Sequence, residues 1–217
     1  MTEHPSTAPC PCTERHPAKR IVLTGGPGAG KTAVLELVRH ALCEHVRIVP
    51  EAASIVFGGG FPRDAALETR RAGQRAIYYV QRELEAAAMA TNPSIMLCDR
   101  GTVDGVAYWP GPDDLWSQVG TTLDEQLVRY AAVLHLRTPD ETGYDHSNPL
   151  RVETVSEARA IDERIAIAWQ RHPRRFEIPS MPDFVAKSAL AVTLLRAELP
   201  PCCFRHAVAV SGVNDVR

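Results

Sequence analysis

Residues 25–32, Gly-Gly-Pro-Gly-Ala-Gly-Lys-Thr, constrain this chain more than any other stretch. They follow a short apolar run, Arg20 to Thr24, and open a segment in which Val34, Leu35, Val38 and Leu42 recur at helical spacing. Strand, glycine-rich loop and helix in that order match the pattern G-x-x-x-x-G-K-[ST]. Glycines let successive backbone N–H groups turn inward around phosphate oxygens, and the start of the following helix adds its positive dipole end. Gly25, Gly26, Pro27, Gly28, Ala29, Gly30, Lys31, Thr32 and Ala33 are therefore the candidate residues for holding a nucleoside triphosphate, ATP or GTP. Lys31, one of three lysines against twenty-one arginines, supplies a point charge for the β and γ phosphates. The Thr32 hydroxyl is placed to meet a magnesium ion.

A second apolar run, Ile95-Met96-Leu97-Cys98, ends in Asp99. A carboxylate at the end of a neighbouring buried strand is how such a loop shares its magnesium, so Asp99 joins Thr32 as a candidate metal ligand. Strand and helix patterns then alternate along the chain. Strands are expected at Arg20–Thr24, Arg47–Pro50, Ser94–Asp99, Ala132–Arg137 and Arg175–Ile178. Helices are expected after Lys31 and over Arg63–Thr91, Thr121–Tyr130, Glu153–Gln170 and Pro182–Glu198. This alternation predicts an α/β fold of parallel strands joined by right-handed crossovers, with helices on both faces.

The 217 residues suffice for one such domain, and the 45% apolar share, 23% charged share and formal charge of −2 fit an ordinary soluble chain. They give no reason to expect nucleic-acid binding. Neither a signal peptide nor an apolar run of membrane-spanning length is present, so a cytoplasmic protein is expected. Residues 1–18, rich in proline, are expected to form a disordered tail, residues 19–199 the domain, and 200–217 an extension. Cys10, Cys12, Cys202, Cys203 and His206 form two clusters at opposite termini without a recognised ligand spacing. They are expected to be ordinary thiols of the tail and a late loop, with zinc the less favoured alternative.

The stretches RIVLTGGPGAGKT, VPEAA, CDRGTVDGVAYWPG and HPRRFEI, spread over residues 20–178, resemble the AAA_28, or NadR/TTD14-like, family of P-loop ATPases and kinases. They also resemble the wider group of nucleoside and nucleotide kinases. The resemblance implies a three-layer fold with a five-stranded parallel sheet of order 2-3-1-4-5, and a lid-like helical region at about 140–172. It implies an ATP-dependent phosphotransferase acting with Mg²⁺ on a small-molecule acceptor, monomeric or homodimeric. The alternative it carries is a regulatory protein that binds ATP or GTP, hydrolyses slowly and meets phosphoinositides at a peripheral lipid surface.

Site residues implied by the resemblance are Glu51, matching the base that faces the acceptor hydroxyl, and Arg100, matching an arginine that touches the acceptor or its phosphate. Glu51 as a simple helix cap is the competing reading. Asp104, Tyr108 and Trp109 follow Arg100 and are expected either to line an acceptor pocket or, for the two aromatics, to fill the core. Arg151, Arg159 and Arg164 fall where relatives carry lid arginines, although interleaved Glu153, Glu157, Asp162 and Glu163 suit a solvated, salt-bridged helix equally. Arg174 falls where relatives pass beside the nucleotide base, against the alternative of an exposed basic turn. Arg63, Arg70, Arg71 and Arg75 form a further cluster, expected to be a solvated helix face, with attraction of an anionic acceptor or lipid head group the less favoured alternative.

Overall fold

Thr24, Glu51 and Asp99 come from three different strands or their exits, and the sheet brings all three to one edge. The computed structural model of the chain describes residue 12 and residues 14–139 and 154–205. Most of the expected tail, Cys10, Arg151, His206, the first part of the expected lid and most of the C-terminal extension lie outside the described residues.

The strands are β1 (Lys19–Thr24), β2 (Val46–Val49), β3 (Ile95–Asp99), β4 (Ala132–Leu136) and β5 (Arg175–Ile178). They form one sheet in the order β2-β3-β1-β4-β5, and every pairing is parallel. Leu23 pairs with Asp99 and Thr24 with His135, so the carboxyl ends of the three central strands are level. Parallel neighbours need crossovers, and helices supply them: α1 (Lys31–Ala41), α2 (Ala52–Gly58), α3 (Leu67–Met89), α4 (Gly105–Tyr108), α5 (Leu115–Val119), α6 (Leu123–Leu127), α7 (Val155–Trp169) and α8 (Phe184–Arg196).

Side chains alternate across a strand, so consecutive apolar residues of β1 serve opposite faces. Ile21 and Leu23 pack with Val34, Leu35 and Val38 of α1 and Val192 and Leu195 of α8. Val22 packs instead with Tyr78 of α3, Leu127 of α6 and Ile165 and Trp169 of α7. The result is three layers with a core on each side of the sheet. Trp169 is fully buried, and its truncation to alanine would cost about 3–5 kcal/mol.

The helix expected over Thr121–Tyr130 is shorter and has a companion. Gly120 stops α5 in the left-handed region at φ 69°. Thr122 then caps α6, accepting from the Glu125 N–H while Glu125 bonds back to Thr122. The expected Arg63–Thr91 helix begins only at Leu67, because the Asp64 carboxylate accepts the Ala66 N–H and holds a turn there.

Candidate functional site

The glycine loop leaves β1 against the end of β4. Gly25 has φ 145°, and a Cβ there would stand 2.2 Å from the Leu136 carbonyl oxygen, so only glycine fits. Gly30, also left-handed, is the N-cap of α1. Lys31, Thr32 and Ala33 follow as the first residues of the helix, whose N–H groups have no partner within it. This is the arrangement that binds phosphate at a helix start.

Gly26 belongs to the loop for a different reason from the one its motif position suggests. Its N–H donates to the Asp162 carboxylate at 2.8 Å, and a Cβ would press on Thr138, the Ala158 carbonyl and Asp162. It packs the loop onto α7 and does not offer its amide to phosphate. Asp162 is the residue that sequence reasoning passed over. Buried, it also accepts from the Thr138 N–H at 3.2 Å, bonds His135 at 2.9 Å and pairs with Arg137 at 3.1 Å. Burial works against its charge, but the bonds from His135 and Gly26 outweigh it and hold the carboxyl below the usual range. One signal was available. Asp162 shares the helix face of Ala158, Ile161, Ile165 and Trp169, where a solvated acid has no place.

The Lys31 ammonium donates to the Gly25 carbonyl at 2.9 Å and the Gly26 carbonyl at 3.2 Å. Burial lowers its pKa to about 8, with Arg100 nearby adding to the effect. Facing it electrostatically is Asp99, whose pKa burial raises to about 6 despite the attraction of Lys31. Asp99 Oδ1 is buried and accepts no hydrogen bond. A desolvated carboxylate oxygen without a donor is costly in a finished protein and suits a hard cation that takes oxygen ligands. Asp99 and the exposed Thr32 hydroxyl at the start of α1 therefore fit magnesium.

Arg100 has φ 69°, rare for a residue with a side chain, and its N–H is anchored on the Leu23 carbonyl at 3.0 Å. That turn directs the guanidinium to Glu51 at 2.7 Å and to Asp104 at 3.4 Å, with the Tyr108 ring 5.5 Å away. Glu51 also accepts a short hydrogen bond from Ser54. Burial acts to raise the Glu51 pKa, yet Arg100 and Ser54 prevail and lower it. Glu51 is the N-cap residue of α2, but its side chain makes no capping hydrogen bond and turns to Arg100 instead.

Several expectations need correction. Asp104 lines no pocket: it is buried and accepts from Thr24, from the Gly101 N–H at 2.9 Å and from Trp169 Nε1 at 3.2 Å, locking the turn after Asp99. Tyr108 and Trp109 take the second of the two places expected for them, half-buried against the core. Arg164 donates to the Ala107 carbonyl at 2.8 Å and braces α4, so it is not a free lid residue. Arg159 is exposed near the start of α7, in a cleft with Arg137 and Thr138. Arg174 sits at the opposite end of the sheet from the loop. It precedes β5, its carbonyl accepts from the Val133 N–H, and its guanidinium pairs with Glu198. The parallel register carries β5 away from Arg174 toward the phosphate edge, so Arg174 cannot stack on a base held there. Arg71 is similarly engaged, with Asp113, Glu68 and the Pro110 carbonyl, rather than solvated.

A parallel sheet of order 2-3-1-4-5, with a G-x-x-x-x-G-K-T loop between its central strand and α1, defines a P-loop nucleotide-binding protein with the three-layer NTPase fold. The family model AAA_28, an AAA domain, matches residues 20–183, and the chain belongs to that family. P-loop NTPases generally bind nucleotide with Mg²⁺. No curated protein matches the chain. Among the described residues, no helix is long and apolar enough to cross a membrane.

Proposed function

We propose that this protein is an ATP-dependent phosphotransferase for a small-molecule hydroxyl or phosphate. The single observation that carries the proposal is the Glu51–Arg100 pair, held at 2.7 Å beside the half-buried Lys31 and Asp99. A hydrolase needs only to orient water. A carboxylate and a guanidinium fixed by a strained turn on the acceptor side instead suit a second substrate with its own hydroxyl and negative charge.

In this reading the amides at the start of α1 and the Lys31 ammonium bind the β and γ phosphates. Lys31 gives up its bonds to the Gly25 and Gly26 carbonyls and recovers a full charge as the phosphates replace them. Thr32 and Asp99 would hold magnesium, which would supply charge neutralisation for phosphoryl transfer. Arg100 binds acceptor oxygens in bidentate fashion, which frees Glu51 to accept the hydroxyl proton. Arg159, and Arg151 outside the described residues, are proposed to add positive charge when the acceptor is bound. The chain lacks the N-K-x-D element of conventional guanine selection, which disfavours an ordinary Ras-like switch.

The same pair favours one alternative. Glu51 is occupied by both Arg100 and Ser54 and is acidified. If no acceptor separates the pair, the protein would bind nucleotide and hydrolyse slowly, as a regulatory component would. Labelled ATP with a panel of nucleosides, nucleotides and ribosylated vitamins distinguishes the two. Transfer to one class, lowered about 10²–10⁴-fold in kcat by Glu51→Gln with ATP affinity unchanged, is expected. Slow phosphate release with no labelled product from any acceptor would leave the regulatory reading.

A further inference from the structure

One cysteine from each of the two clusters that sequence reasoning set aside as terminal thiols meets the other in the folded chain. Cys12, from the segment ahead of β1, and Cys202, from the turn after α8, meet His16 and His45, the last of these directly preceding β2. One ligand atom from each of the four lies within 4.8 Å of all the others. Cys12 Sγ is 3.5 Å from His16 Nε2, Cys202 Sγ is 3.2 Å from the same nitrogen, and Cys202 Sγ is 4.0 Å from His45 Nδ1. The two imidazole rings stand edge to face, 5.2 Å apart at their centroids.

We propose that Cys12, His16, His45 and Cys202 form a tetrahedral site for one Zn²⁺ ion. Bond lengths of about 2.3 Å to sulfur and 2.0–2.1 Å to nitrogen put the ligand atoms of a tetrahedral zinc about 3.3–3.8 Å apart, the scale of the spacings found here. Two thiols and two imidazoles are the donor set that zinc prefers. Binding releases the two thiol protons, and the two thiolates then cancel the charge of the dication. A neutral site of that kind suits the half-buried position of all four residues. An inner group, Cys43, His45 and Cys203, lies alongside, with its cysteine sulfurs 3.3 Å apart. It offers only three ligands among the described residues, so it does not close a four-coordinate site by itself.

Four protein ligands leave no open position, so the site is structural. It ties two segments near the start of the chain to one near its end, at the end of the sheet opposite the phosphate loop. The cysteine spacing carries no zinc-finger signature because the ligands come from three segments, 12–16, 45 and 202, rather than from paired short motifs.

Metal analysis and cobalt substitution on the reduced full-length protein test this. One zinc per chain is expected, and the cobalt form should show the intense visible bands of four-coordinate cobalt with near-ultraviolet thiolate charge transfer. Cys12→Ser and His16→Gln lie outside the sheet and α-helices and should each weaken zinc binding by about a hundredfold or more. Cys43→Ala and Cys98→Ala should retain the metal. ATP affinity should not change in any of these variants, so the result is independent of the proposed phosphotransfer. Substoichiometric zinc with no tetrahedral cobalt spectrum would overturn the proposal. So would full retention by Cys12→Ser and His16→Gln, or loss in Cys43→Ala with retention in Cys12→Ser.

Discussion

Two carboxylates, the half-buried Asp99 and the buried Glu85, sit on adjacent elements and have opposite surroundings. Glu85 of α3 is fully buried and answered on every side. Gln81 and the Tyr130 hydroxyl donate to it at 3.1 and 2.7 Å, Arg129 pairs with it, and Arg20 lies at 3.4 Å. Asp99, at the end of β3, keeps one oxygen buried with no donor at all. Its neighbours share the unsettled character: Lys31 has lost basicity to burial, and Arg100 holds a strained backbone. The difference separates a charge placed to hold the fold together from charges kept in readiness for something that arrives later.

The sharpest way to break the comparison is to remove Glu85. Glu85→Ala would leave Arg20 and Arg129 partly buried without their acid, costing about 3–5 kcal/mol in urea unfolding while the affinity of the surviving folded protein for ATP stays the same. A loss of ATP affinity with little change in stability would reverse the roles assigned to the two carboxylates. Lys31→Ala should do the converse, weakening ATP and GTP about a hundredfold in calorimetry, or about 2.7 kcal/mol, with the unfolding midpoint nearly unchanged.

Asp99 sharpens the contrast through pH. Its folded pKa, about 6, lies above the ordinary 3.8, so the protonated form is the one the fold favours. That contribution to stability is fully present below pH 3.8 and is lost as pH rises through 6. Asp99→Asn should therefore stabilise the nucleotide-free protein at pH 7 by about 1–3 kcal/mol, and flatten the decline expected of the unaltered protein between pH 4 and 6. In the unaltered protein, magnesium affinity should fall below pH 6, where a proton competes for the carboxylate. A destabilised Asp99→Asn protein would place Asp99 with Glu85 as a structural acid.

What was legible in the sequence was local or periodic. The loop, all five strands and the crossover helices could be found because each is announced by a short pattern in consecutive residues. The order of the strands followed from the resemblance that the loop and its neighbouring stretches carry. What escaped was joined only by folding. Asp162 meets Gly26 across 136 positions, and the Cys43 and Cys203 sulfurs meet across 160. Arg174 failed for a related reason. Its place in the sequence is next to a strand that points toward the nucleotide, but it stands at the wrong end of that strand. The short helices α4 and α5 were missed because runs of four and five residues are too brief to display a helical period.

The contact between Gly25 and the Leu136 carbonyl has a kinetic and entropic meaning as well as a steric one. With a neighbouring strand this close to Gly25, the start of the loop has no room to relax whether or not a nucleotide is near. The disorder of that backbone is surrendered when the chain folds, not when the triphosphate arrives. Capture should then resemble docking on a rigid mould, with its speed set by diffusion and charge rather than by any rearrangement of the loop.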